Sequence, residues 1–311
     1  MATPTLSVIV PVHNGGEKFR RCLERLKAAS PQPDELIVVA DGDSDGSWRI
    51  AEEFGARVIR LEKAGGPARA RNAGARAARG DVLVFLDADV ACVPDLFRRI
   101  GETFEREPKI AAVFGSYDDA PAEANFLSQY KNLFHHYVHQ TSREEASTFW
   151  AGCGATRRDI FLTLGGFDKT YRQPSIEDIE FGYRLRRAGH RIRLVKTLQV
   201  KHLKRWTARS LVYADFWLRA VPWTELMQRD RGILNDLNLT WKARAAVVLG
   251  WLSLVVPPLV VVMLAMHAGL LKFFLAKRGA LFTLAAMPWL WLYNLYSGLG
   301  FAVGLVRHWT R

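Results

Sequence analysis

Two long stretches of this chain lack charge: no Asp, Glu, Lys or Arg occurs from Ala245 to Leu271 or from Gly279 to Val306. Each run exceeds the roughly 20 apolar residues that cross a bilayer as a helix. The sequence therefore predicts a soluble domain followed by a transmembrane hairpin, about 245–271 and 279–306. Cysteine is scarce as well. The three residues Cys22, Cys92 and Cys153 form no CxxC pair, and an odd number closes no disulfide set, so they read as small buried hydrophobes. Neither G-x-G-x-x-G nor G-x-x-x-x-G-K-S/T occurs, which makes hydride transfer and P-loop hydrolysis poor candidates. The first five residues carry no charge and no cleavage pattern. The following Leu6-Ser7-Val8-Ile9-Val10 reads as a strand, and the domain before the tail is expected in the cytosol.

What is present is a core-forming composition. Of 311 residues, 49% are apolar and 24% charged, which fits one large or two ordinary domains and no disordered chain. Lys and Arg number 43 against 31 Asp and Glu, a net charge of +12. The cations gather at Arg184–Arg193, Lys201–Arg209, Arg229–Arg231 and Lys242–Arg244, rising toward the first apolar run. No nucleic-acid motif accompanies them. Their position fits anionic headgroups, the positive-inside rule or a phosphorylated substrate. Thr207 to Met227 is amphipathic and carries Tyr213, Trp217 and Trp223, the pattern of a helix lying in the interface. Pro257-Pro258 predicts a break in the first spanning helix.

Through the first hundred residues, short β-rich runs alternate with amphipathic ones: Leu6–Val12, Glu35–Ala40, Arg57–Leu61 and Asp81–Leu86 as strands, separated by helices. Continuous apolar strands such as Val82-Leu83-Val84-Phe85-Leu86 imply a mostly parallel sheet covered on both faces, a doubly wound α/β domain. The expected organisation is a catalytic domain over 1–206, an interface segment over 207–244 and the hairpin over 245–306.

Ligands of such sheets bind at the carboxyl ends of the strands. Three ends are rich in polar groups: Pro11-Val12-His13-Asn14, Asp41-Gly42-Asp43-Ser44-Asp45 and Asp87-Ala88-Asp89. Two carboxylates ending an apolar strand repel unless a cation or water separates them, and Mg²⁺ or Mn²⁺ prefers such ligands, completed by substrate phosphates. Asp41 can accept from a base N–H or a ribose hydroxyl. Asp45 and Ser47 read as turn and cap residues.

These motifs stand in one order. Pro-x-x-Asn is followed by Asp-Gly-x-x-Asp-Gly, Ala70-Arg71-Asn72-x-Gly74, Asp-Ala-Asp, Gly165-Gly166-Phe167-Asp168 and Glu177-Asp178. From about Leu6 to Trp206 the chain resembles the family 2 glycosyltransferases of GT-A fold. The resemblance implies an inverting, metal-dependent transferase using a nucleotide sugar, UDP-linked in most members. It implies Asp178 as general base supported by Glu177, and Asp41 on the base. Asp87 would lie on ribose or metal, and Asp89 on the metal, Mg²⁺ or Mn²⁺. Pro11, Asn14, Arg71, Arg205 and Trp206 join the donor site, with His202 a further candidate metal or diphosphate ligand. At the start of a helix, Asp178 is expected to have a lowered pKa.

The pattern is broken twice. Ala40 stands where the family usually has a first aspartate, and His202-Leu203-Lys204-Arg205-Trp206 stands where polymerising members have Q-x-x-R-W. Together with only two spanning runs, this predicts addition of one sugar to a membrane lipid, polyprenyl phosphate or a glycerolipid, at the cytoplasmic side of the inner membrane as a multi-pass protein. A soluble or envelope glycan acceptor, a nucleotidyltransferase and a non-enzymatic sugar-nucleotide-binding protein remain as alternatives; nucleic acid does not.

Overall fold

Alternating strand-forming and amphipathic runs fold as their periodicities dictate in the computed structural model, which describes residues 3–230 and 237–310 without the side chain of Asn238. The chain runs β1 (Leu6–Val12), α1 (Gly16–Lys27), β2 (Glu35–Asp41), α2 (Ser47–Glu53), β3 (Arg57–Leu61), α3 (Pro67–Ala77), β4 (Val82–Leu86) and β5 (Val90–Cys92). There follow α4 (Leu96–Arg106), β6 (Ile110–Tyr117), α5 (Phe126–Thr141), β7 (Glu145–Ala146), β8 (Cys153–Arg157), α6 (Arg158–Thr163), α7 (Glu177–Arg187) and β9 (Arg191–His202). The last part holds α8 (Ala208–Asp215), α9 (Val221–Arg229), α10 (Trp241–Leu252), α11 (Leu259–Met266) and α12 (Ala268–Trp309). These elements divide into two units, residues 1–123 with 143–204, and 124–142 with 205–311.

The first unit is built on one sheet of order β3-β2-β1-β4-β8-β6-β9-β5, with β7 beside β9. The β3-β2-β1-β4 half is parallel, with Val10 opposite Val38 and Val8 opposite Val84. The other half is mixed, β8 running antiparallel to β4 and β6. Alternation along each strand feeds two cores. Val8, Val10 and Val84 join Phe19, Leu23, Phe97 and Ile100 on one side. On the other, Phe85, Phe161, Phe167 and Phe181 pack ring against ring, mostly edge to face or tilted. Helix α3 lies tight against the sheet because a Cβ on Gly74 would stand 2.5 Å from Ile9 Cγ2.

In the second unit, Tyr130 and Leu133 of α5 share a core with Trp206, Leu211, Leu270, Phe274, Ala286 and Leu290. Buried Asp215 ties it together, accepting from Lys131 (2.6 Å), Arg219 (3.1 Å) and the Tyr296 hydroxyl (3.0 Å). The expected domain boundaries change accordingly. Helix α5 leaves the catalytic unit, because its apolar face matches the C-terminal helices. The expected interface helix is α8 and α9 joined by a π-turn over Phe216–Ala220; Trp223 is buried, while Tyr213 and Trp217 are exposed. The juncture at 231–236, including Arg231, lies outside the described residues.

The run 245–271 is not one helix: α10 ends before Ser253–Pro258, where Pro257-Pro258 removes two amide donors. Gly279, at φ 79°, breaks α12 into two limbs. Among the described residues no single helix is long and apolar enough to cross a membrane; α11 and α12 together would be, bent by 70°.

Asn72 shows how motif residues hold the first unit. Its amide donates to Phe167 O (2.7 Å) and its carbonyl accepts from Phe167 N (2.8 Å). Asn72→Ala would orphan both buried backbone groups, and denaturant unfolding of the full chain in detergent is expected to show a loss of about 2–4 kcal/mol. An unchanged midpoint would contradict this role.

Candidate active site

The parallel strands end together, and the loops that follow them are tied to one another by side chains. Asn14, at φ 52°, accepts from the amides of Ser44 (2.8 Å) and Asp45 (3.3 Å), joining the β1 and β2 ends. Pro11 is half-buried inside β1, opposite Val39. Asp45 and Ser47 accept from Gly16 and Gly15, each at 3.0 Å. Asp41 is buried, and its carboxylate accepts from Gly65 N at 2.9 Å and Gly66 N at 2.8 Å. Where the sequence puts Asp41 against a base, the structure uses it to fix the loop before α3. Gly66 is required there, since at φ 88° a Cβ would meet Arg172 O at 2.4 Å.

Beyond β4 the charges converge. Arg71 of α3 is buried and donates to Asp87 Oδ1 (2.6 Å) and to Glu177 Oε1 (2.8 Å), its guanidinium 5.7 Å from the Phe167 ring centroid. Arg71 thus acts first on protein carboxylates. Glu177 also accepts from Ser175 N (2.9 Å), so it holds Arg71 in place and is not bonded to Asp178. Asp178 instead accepts from Ala151 N (3.0 Å) and Ile179 N (2.8 Å). Burial and the Glu177 carboxylate push Asp178 up to about 7, outweighing the two amides and Arg71. This reverses the lowered pKa expected from its place at a helix start: loss of water outweighs the field of the first turn.

Asp89 is pulled the other way. The antiparallel register of Val90 with His202 sets Asp89 beside the end of β9, where Leu203 N donates to Asp89 O (2.8 Å). His202 Nε2 stands 3.7 Å from Asp89 Oδ2. Burial opposes the charge, but His202, Lys204 and Lys18 outweigh it and bring Asp89 down to about 2. His202 itself lies flat on Tyr117 (4.1 Å between centroids, 12° between planes), and Tyr117 meets Trp150 edge-on at 4.8 Å.

The sequence reading missed Tyr117 and Trp150. Its only signal was an aromatic before the Gly152-Cys153-Gly154 stretch, whose neighbours serve the site: Ala151 N binds Asp178 and Gly152 O accepts from Asp87 N (3.3 Å). Arg205 and Trp206 fall in the second unit. Arg205 is exposed, while Trp206 is 4% exposed and packs within the helical core.

Among the described residues no three His, Cys, Asp or Glu side chains gather into a closed metal site. An ionised Asp89 oxygen with an imidazole nitrogen nearby fits a hard divalent cation whose remaining ligands come from a diphosphate.

Comparison with known proteins agrees with this geometry. The family model described as Glycosyl transferase family 2 matches residues 7–165. An uncharacterised glycosyltransferase of Haemophilus influenzae is 29% identical over 189 residues, 57% of this chain and 60% of that protein. The glucosyl-dolichyl phosphate glucuronosyltransferase of Haloferax volcanii is 27% identical over 164 residues, 49% of this chain and 51% of that protein. The match thus spans less than two thirds of either relative. The mannosyltransferase PcManGT of Pyrobaculum calidifontis, solved with GDP-Man and Mn²⁺, superimposes with a TM-score of 0.63 at 16% identity, over 97% of this chain and 88% of that one. The likeness establishes the GT-A fold.

Asp89→Asn removes the charge that His202, Lys18 and Lys204 sustain. Calorimetric titration with a panel of nucleoside diphosphates in Mn²⁺ is expected to show binding weakened about tenfold or more, with little change in excess chelator. Equal affinity for wild type and variant in Mn²⁺ would remove Asp89 from the donor site.

Proposed function

The chain belongs to glycosyl transferase family 2, and from that premise we propose that it transfers one sugar from a nucleotide sugar to a hydroxyl of a membrane lipid or lipid-linked glycan, inverting the anomeric centre. The observation that carries this reading is the divergence of two carboxylates in one site: Asp178 pushed up to about 7 and Asp89 held down near 2. Opposed shifts of this kind separate the group that takes a proton from the group that stays charged.

In the reaction proposed, the acceptor oxygen attacks the anomeric carbon and the bond to the diphosphate oxygen breaks. The hydroxyl proton passes to Asp178, and the nucleoside diphosphate leaves as an anion. Asp89, with His202 beside it, would hold a divalent cation that supplies positive charge to the leaving diphosphate. Lys18 and Lys204 add fixed positive charge there. Arg71 bridges Asp87 and Glu177, and Glu177 adds to the burial that raises the proton affinity of Asp178.

A poised base favours a hydroxyl acceptor over a lipid phosphate, because a phosphate oxygen is already ionised near neutrality and has no proton to surrender. The Haloferax relative, whose name carries a dolichyl phosphate-linked sugar, supports a lipid-linked acceptor. So does the exposed apolar surface of the second unit, where Val255 and Leu281 are 82% and 86% exposed. The same surface and the cations of the second unit support a membrane setting at the cytoplasmic face.

Turnover is expected to rise with pH through about 7 and to fall about tenfold per unit below it, because only ionised Asp178 accepts the proton. Glu177→Gln removes the charge that raises Asp178, so the acid limb should move to lower pH; a limb that stays in place would free Asp178 from the assignment.

Asp178→Asn keeps the size of the side chain but cannot take the proton. Incubating membranes with sugar nucleotides and analysing extracted lipids by mass spectrometry should give one added sugar for wild type, and about 10²–10⁴-fold less for the variant with nucleotide binding retained. A ladder of masses would refute single addition, and sugar appearing only on water-soluble acceptors would refute the lipid.

A further inference from the structure

In the second unit the charge-free runs fold back on themselves. Helix α10 climbs along the second limb of α12 in the opposite direction: a Cβ on Gly298 would meet Val247 Cγ1 at 3.0 Å, and one on Gly250 would meet Asn294 Cβ at 3.1 Å. Further on, Trp291 Nε1 donates to Ser253 Oγ at 2.9 Å. After the turn at Leu254–Pro258 the chain comes back. Asn294 Nδ2 lies 3.5 Å from Met263 Sδ and 3.3 Å from His267 Nε2, so residue 267 has returned to the level of residue 250. The run that looks like one spanning helix is an out-and-back hairpin.

Its surface is arranged by depth. Trp241, Lys242 and Arg244 stand exposed at the base, and Val248, Trp251, Leu252, Leu254, Val255 and Val256 are exposed toward the tip. From Ala245 to Leu252 the helix rises about 12 Å, less than half of a hydrocarbon core of about 30 Å. Across residues 124–142 and 205–311 there are 13 Lys or Arg against four Asp or Glu, a charge matched to anionic headgroups.

The second limb of α12 is no better placed to cross. Both limbs pack on α5: Arg278 Nε donates to Gln129 Oε1 (2.8 Å), Tyr130 meets Phe274 and Trp289, and Phe134 meets Tyr293. A crossing α12 would draw Gln129, Lys131 and the histidines of α5 into hydrocarbon, which is costly.

We propose that the second unit is a one-leaflet anchor: the α10–α11 hairpin enters an anionic membrane surface tip first and leaves on the side it entered, with no element crossing. This rests on the membrane acceptor proposed above and replaces the spanning hairpin expected from hydropathy.

The test uses the full-length chain in vesicles containing anionic phospholipid, with single substitutions Val255→Cys, Lys277→Cys and Thr310→Cys; Cys22, Cys92 and Cys153 are buried. A fluorophore on residue 255 should be quenched by lipids spin-labelled along the acyl chain. Residues 277 and 310 should react with an impermeant maleimide from the same side. Reaction from opposite sides would overturn the proposal in favour of a crossing. A residue 255 probe quenched only by an aqueous quencher would overturn it in favour of no insertion. Failure of the lipid-acceptor reading is told apart by the product assay, which reads the acceptor and not the topology.

Discussion

The site depends on one buried cation. Arg71 is placed by α3, which Gly74 allows to press onto β1, and its guanidinium joins the end of β4 to the start of α7 through Asp87 and Glu177. The guanidinium bonds to both carboxylates at once, at 2.6 Å and 2.8 Å. A buried ion triad of this kind contributes little net stability, because desolvation consumes most of the Coulomb gain. What it provides is position: two loops from distant parts of the sequence are held in one geometry, with Phe167 against the guanidinium.

The triad shapes the electrostatics only on its own side of the site. Glu177 accepts from Arg71 and Ser175 N, and its carboxylate adds to the burial that raises Asp178. Asp89, just ahead of the edge strand β5, answers instead to His202, Lys204 and Lys18. Two acids of one chemical type thus reach opposite states because different strands deliver different neighbours. The sheet makes the separation: β4 carries Asp87 to Arg71, and the β5–β9 register carries Asp89 to His202.

Much of this was legible in the sequence. The bounds of β1 and β3 match their hydrophobic patterns residue for residue, since each is a local run closed by turn residues. Asp87, Asp89, Glu177 and Asp178 were singled out because several motifs stand in one order. Less local features were not legible. Strand β8 reads Cys-Gly-Ala-Thr-Arg, poor in strand formers, and exists because β4 and β6 flank it; a Cβ on Gly154 would meet Trp150 O at 2.3 Å. The pKa of Asp178 turns on burial, which no spacing displays. Trp206 reads as a donor-site aromatic by its motif, and only the packing of α5 against it reveals a core residue.

Helix α5 carries the same lesson into the second unit. Its 16 residues lie inside the stretch whose motifs read as catalytic, yet its apolar face is completed by α8 and α12, and its Lys131 by Asp215. A chain cut after α9 would keep α8 but lose Phe274, Ala286, Leu290 and Tyr296, leaving Tyr130 and Leu133 facing water and Asp215 without its hydroxyl donor. The C-terminal helices are therefore no detachable tail. They complete a core whose first helix is encoded between β6 and β7, so the second unit is assembled from two separate stretches of the sequence.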